Sequence, residues 1–72
     1  MEVLVLKTNV TSKEKAQALS AVFDNHQLIR KWSVDTEDCD NVLRIEAENG
    51  FDILEAVALM QLMGYIGDEL DY

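Results

Sequence analysis

The sequence predicts one α+β domain with the order strand, helix, strand, strand, helix, short strand. Three observations carry that expectation. Val3-Leu4-Val5-Leu6 is an unbroken apolar run near the start. Ala16, Leu19, Ser20 and Phe23 recur at i, i+3, i+4 and i+7, the spacing of one helix face. Leu43 and Ile45 alternate with Val42, Arg44 and Glu46, the period of a half-buried strand.

The elements follow in order. An apolar run without alternation suits a central strand, buried on both faces or covered on its open face by something else. Thr8-Asn9-Val10 then turns the chain. Thr11-x-x-Glu14 has the form of a capping box, in which the Thr hydroxyl and the Glu carboxylate satisfy each other's amides. Helix one is expected from there to about Asn25, with Val22 flanking its apolar face. Ile29, Trp32 and Val34 mark the second strand, and Asp35 to Asp40 is a polar turn with four carboxylates. Trp32 and Val34 are expected to share the core face with Leu43 and Ile45 across this hairpin.

Asn49-Gly50 breaks the third strand. Helix two is expected from about Phe51 to Met63, with Ile53, Ala56, Val57 and Met60 on one side. Leu59, Leu62 and Met63 fall on another side. Gly64 stands at the usual helix C-terminal position. Tyr65 and Ile66 are expected to begin a short last strand, and Asp68 to Tyr72 to form an acidic tail.

Seventy-two residues hold one core, so residues 1–72 are read as a single domain. Fourteen acidic against six basic residues leave a net charge of −8. Phosphate backbones are bound by Lys and Arg, so this balance argues against nucleic acid and against an anionic membrane surface. A single cysteine forms no internal disulfide. The longest apolar run, Ala56 to Met63, is interrupted by Gln61 and too short to insert in a bilayer. With no signal-like segment at the start, a cytoplasmic location is expected.

The order of elements, the strand–helix turn at Val10 to Ala16, the Ile29-x-x-Trp32-x-Val34 spacing and Gly64-Tyr65 together resemble the heavy-metal-associated domain family of small copper and zinc chaperones. The resemblance covers nearly the whole chain. It implies a ferredoxin-like βαββαβ two-layer sandwich, an antiparallel sheet with two helices on one face. In that family the first turn carries Met-x-Cys-x-x-Cys, whose thiolates hold the metal. Here Val10 takes the Met position, and Ser12 and Lys15 take the positions of the cysteines. The implied topology also brings the first turn, the acidic hairpin and the Gly64-Tyr65 turn to one end of the molecule.

Candidate sites are weighed against that background. Soft metals need thiolates, imidazoles or thioethers. Ser12 and Lys15 supply neither, so no metal and no cofactor is expected at the turn. A rearranged copper or zinc site would have to recruit Cys39, which Asp38 and Asp40 flank with negative charge that makes a thiol a poorer ligand. The run Asp35 to Asp40 fails the EF-hand pattern, because its fifth and sixth positions are Cys39 and Asp40. His26, the single histidine, has no nucleophile beside it in sequence, and no catalytic residue is expected.

Two features remain. Lys7, Lys13 and Lys15 cluster around the start of helix one on an acidic chain, where a helix N-terminus already favours anions. Leu59, Leu62 and Met63 exceed what one core face needs, and with the Leu4/Leu6 face of strand one they suggest self-association or a docking surface. The expectation is a non-enzymatic protein-interaction module, with Lys13, Lys15, Leu59, Leu62 and Met63 as contact residues. The alternative is a metal-handling protein with a rearranged site at Cys39.

Overall fold

The structure, a computed structural model, describes residues 2–37 and 39–70. The order is β1 (Glu2–Thr8), α1 (Lys13–Phe23), β2 (Ile29–Asp35), β3 (Val42–Ala47), α2 (Ile53–Leu62) and β4 (Gly67–Glu69). The four strands form one antiparallel sheet in the order β2-β3-β1-β4. The sheet and two helices make an α+β arrangement compatible with a two-layer sandwich.

The period-two pattern sorts the strands' side chains between the faces. Leu4 pairs with Ile45 and Leu6 with Leu43, while Trp32 lies opposite Ile45 and Val34 opposite Leu43. The expected sharing of a core face across the hairpin is therefore observed. Leu6, Leu43, Ile45 and Ala47 join Leu19 and Phe23 of α1 and Ala56 and Met60 of α2 in one buried cluster, with Val10 and Phe51 from the connections. β1 is central, as its composition suggests. Its Leu4/Leu6 side is not a docking face, however: Leu6 is fully buried and Leu4 packs on the same cluster. The open face carries Val3 and Val5, and Val3 is exposed.

The start of α1 differs by one residue from the capping-box expectation. Ser12, not Thr11, is the N-cap: its backbone is extended, and its Oγ accepts from the Lys15 amide at 3.2 Å. Both residue types can cap a helix, and local periodicity does not choose between them; the connection before the cap buries Val10 in the core. The third helical position is then Lys15, and no reciprocal carboxylate bond forms there. Glu14 instead sits in the first turn, where the helix dipole favours its charge. The helix ends at Phe23, short of Asn25, whose side chain turns back to donate to the Ala21 carbonyl at 2.8 Å.

α2 begins after Phe51 because Asp52 caps it, accepting from the Glu55 amide at 2.9 Å. At its end Gly64 takes φ +86°, and the amides of Gly64 and Tyr65 donate to the Gln61 and Met60 carbonyls. This is the Schellman arrangement, which needs a left-handed residue after the cap. Tyr65 then packs on the core and the Ile66 amide donates to Asn9 Oδ1 at 2.8 Å. The last strand therefore starts at Gly67, later than Tyr65-Ile66. Asp68 and Glu69 are strand residues opposite Lys7 and Leu6, not part of a tail; Asp71 and Tyr72 lie outside the described residues.

Candidate functional site

A concavity lies between α1 and β2. It is a groove of about 320 Å³ lined by Ala16, Ser20, Trp32 and Val34, with Lys13, Gln17 and Thr36 also on its walls. Its origin is local. Ala16 and Ser20 are one helical turn apart, and their small side chains leave space above the strand. Trp32 and Val34 are alternate residues of β2 and project to the same side. The opening is mostly apolar, rimmed by one cation and several hydrogen-bonding groups.

Trp32 forms a fixed wall. Its ring meets Phe23 edge-on, with centroids 5.3 Å apart and planes at 72°. Its Nε1 donates to Asp24 Oδ1 at 2.7 Å. One residue thus ties the sheet edge to the end of α1. Ser20 Oγ is turned inward to its own helix, donating to the Gln17 carbonyl at 2.7 Å.

The groove borders a sheet edge. β2 pairs with β3 on one side and has no strand neighbour on the other among the described residues. The pairing shifts register between Ile29 and Lys31, and Arg30 at that point bonds Glu48 Oε1 through Nε at 2.6 Å. A bulge interrupts the regular row of main-chain groups that strand addition needs. The regular part of the edge is therefore Lys31 to Asp35.

The residues singled out from sequence fall at several places. Ser12 is half-buried and serves the helix cap. Lys15 is exposed, with Nζ donating to Thr11 Oγ1 at 3.4 Å. Lys13 lies on the groove wall. Cys39 is an exposed free thiol in the hairpin. No group of three or more potential His, Cys, Asp or Glu metal ligands occurs among the described residues. His26 Nδ1 accepts from the Leu28 amide at 3.1 Å, and its ring stands edge-on to Phe51 at 4.9 Å.

The three turns do meet at one end. The Thr8 amide donates to the Asp40 carbonyl at 3.1 Å and its hydroxyl to the Asn41 carbonyl at 2.6 Å. Lys7 Nζ lies 3.6 Å from Asp40 Oδ1, and Asn9 holds the chain leading to β4. Part of the lysine cluster is thus directed at the chain's own acidic hairpin.

On α2 the apolar surplus divides. Leu59 and Met63 are half-buried and pack against the core, whereas Leu62 is 82% exposed. The inward stripe spans roughly 160° of the helix, wider than the minimum for a surface helix. The outward stripe is Leu54, Ala58 and Leu62, of which Leu54 is 73% exposed. The sequence singles out neither Leu54 nor the groove residues Gln17 and Thr36, and it reads Ala16 and Ser20 only as part of the apolar face of helix one. The i, i+4, i+8 spacing of Leu54, Ala58 and Leu62 was legible; the groove had no comparable sequence signal.

No helix among the described residues is long and apolar enough to cross a membrane. Comparison with protein-family models, curated proteins and solved structures returns no match.

Proposed function

We propose that this chain is a non-enzymatic protein-association module. Its framework is read as a ferredoxin-like βαββαβ sandwich related to the heavy-metal-associated domain, with the metal-binding turn rebuilt as a helix cap. The strand order β2-β3-β1-β4, with every neighbour antiparallel and a helix after β1 and after β3, supports the framework. At the turn, the Ser12 hydroxyl and the Lys15 ammonium offer no soft ligand.

One observation carries the association reading: a regular edge segment, Lys31 to Asp35, borders an apolar groove walled by Trp32, Val34 and Ala16. Strand addition uses this combination, since the edge supplies main-chain hydrogen bonds and the groove receives alternate side chains. The volume, about 320 Å³, takes one or two side chains rather than a large ligand.

The test is affinity capture with the full chain from extracts of its own source cells, quantified against Ala16→Arg. That substitution fills the groove from a half-buried position on α1 beside the core cluster, and urea titration checks that the variant folds. Proteins that bind through the groove are retained by the wild type and lost by the variant. Identical retention by the two chains sinks the reading.

A further inference from the structure

The regular edge of β2 reads Lys31-Trp32-Ser33-Val34-Asp35, which is self-complementary about its centre. We infer that the partner of this edge is a second copy of the same chain, paired antiparallel through Ser33 across a two-fold axis. This rests on the association reading above and names its occupant.

The register follows from the order of residues. With Ser33 opposite Ser33 of the second copy, Lys31 lies opposite Asp35 and Asp35 opposite Lys31. Both charge pairs fall on the open face of the sheet. Trp32 lies opposite Val34 and Val34 opposite Trp32 on the helix side, where the groove opens. Opposite-charge and aromatic–aliphatic pairs are the favourable cross-strand combinations. Moving the centre to Trp32 sets Lys31 against Ser33 and Arg30 against Val34, which loses both charge pairs. Antiparallel strands accept the Ser33-centred register whether Ser33 sits at a hydrogen-bonded or a non-hydrogen-bonded position.

Charge argues for this edge over the rest of the surface. Each copy carries −8, so two copies repel over most approaches. Lys31 stands on β2 and Lys13 on the wall of the groove beside it, while Arg30 at the bulge is paired with Glu48. Asp35 already accepts the Glu37 amide at 3.1 Å through Oδ1, and a carboxylate has acceptor positions for a further donor. The bulge at Arg30 limits the seam to five residues on each copy, so the dimer is a weak, reversible one.

Sedimentation equilibrium of the full chain, from about 10 μM to about 1 mM, tests the pairing in the range of weak interfaces. The wild type is expected to move reversibly from monomer to dimer. Lys31→Asp places a carboxylate against Asp35 twice per dimer and is expected to raise the dissociation constant about tenfold or more. Asp35→Lys is expected to do the same. An equimolar mixture of these two variants is expected to form a heterodimer more tightly than either forms a homodimer, and the double variant Lys31→Asp/Asp35→Lys to recover wild-type association. Urea titration of each variant confirms that it folds.

A wild type that stays monomeric overturns the pairing. So do folded single variants that dimerise like the wild type, or a mixture that shows no preference. In each of those cases, groove-dependent capture of a different protein leaves the association reading standing. Dimerisation with the expected charge pattern supports both.

Discussion

Trp32 and Asp24 are joined by a 2.7 Å hydrogen bond from the indole Nε1 to Oδ1, across eight residues of sequence. Asp24 is the C-cap of α1 and Trp32 the inward residue of an edge strand, so the bond fastens the groove's two walls together. The acceptor matters more than its charge, because a carboxylate at a helix C-terminus faces the negative end of the dipole. Asp24→Ala is expected to cost about 1 kcal/mol in urea unfolding, the net value of one hydrogen bond. Asp24→Asn keeps an acceptor oxygen and relieves the dipole conflict, and is expected to fall within about 0.5 kcal/mol of wild type. A large loss in the Asn variant would show that the charge itself holds Trp32.

The position of the α1 cap is open to a paired test. Ser12 Oγ accepts from the Lys15 amide, whereas Thr11 Oγ1 meets only the exposed Lys15 Nζ among the hydrogen bonds described for it. Ser12→Ala is expected to lower stability by about 1 kcal/mol. Thr11→Ala is expected to change it by less than about 0.5 kcal/mol, as exposed side-chain contacts do. The reverse ranking in urea or thermal unfolding would return the cap to Thr11.

Gly67 is needed for space rather than for backbone freedom. A Cβ there would sit 3.2 Å from both Leu6 Cδ2 and Met60 Cγ. Those side chains are fully buried, and close packing leaves them little room to yield. Gly67→Ala is expected to destabilise by about 1–3 kcal/mol, the usual range for overpacking. Hydrogen exchange should show the loss concentrated at the β1–β4 seam, where Leu70 donates to Val5 at 2.9 Å. A neutral or stabilised variant would mean that Leu6 and Met60 do repack.

The rebuilt-turn reading predicts a gain of function. Ser12 and Lys15 flank the first turn of α1, with the Ser12 hydroxyl directed at the Lys15 amide. The double variant Ser12→Cys/Lys15→Cys therefore brings two thiols together at a helix N-terminus, where thiolates are favoured. It is expected to bind copper(I) or zinc at least about a hundredfold more tightly than wild type in anaerobic competition titration. Cys39→Ser in the wild-type background is expected to leave metal affinity unchanged. No gain in the double variant would remove the likeness to a metal-binding turn, and a loss in Cys39→Ser would reinstate a rearranged site at that residue.

The sequence by itself determined the order of six elements and the inward residues of β2, β3 and α1, because those depend on local period. Leu43, Ile45, Trp32 and Val34 needed only their alternation, and Leu19 and Phe23 only their helical spacing. Gly50 and Gly64 marked turns because each backbone takes a positive φ that other residues resist. The tertiary structure decided the rest. Ser12 rather than Thr11 is the cap, at the end of a connection that buries Val10. Leu59 and Met63 were drawn to the core, and Leu54 was left outside with Leu62, by the seating of α2 against the sheet and Tyr65. Above all, strand order made β2 an edge and set α1 beside it. Strand order is set by hydrogen bonds between distant segments, which no local period encodes, so the groove and the edge that carries the self-pairing proposal exist only in the folded chain.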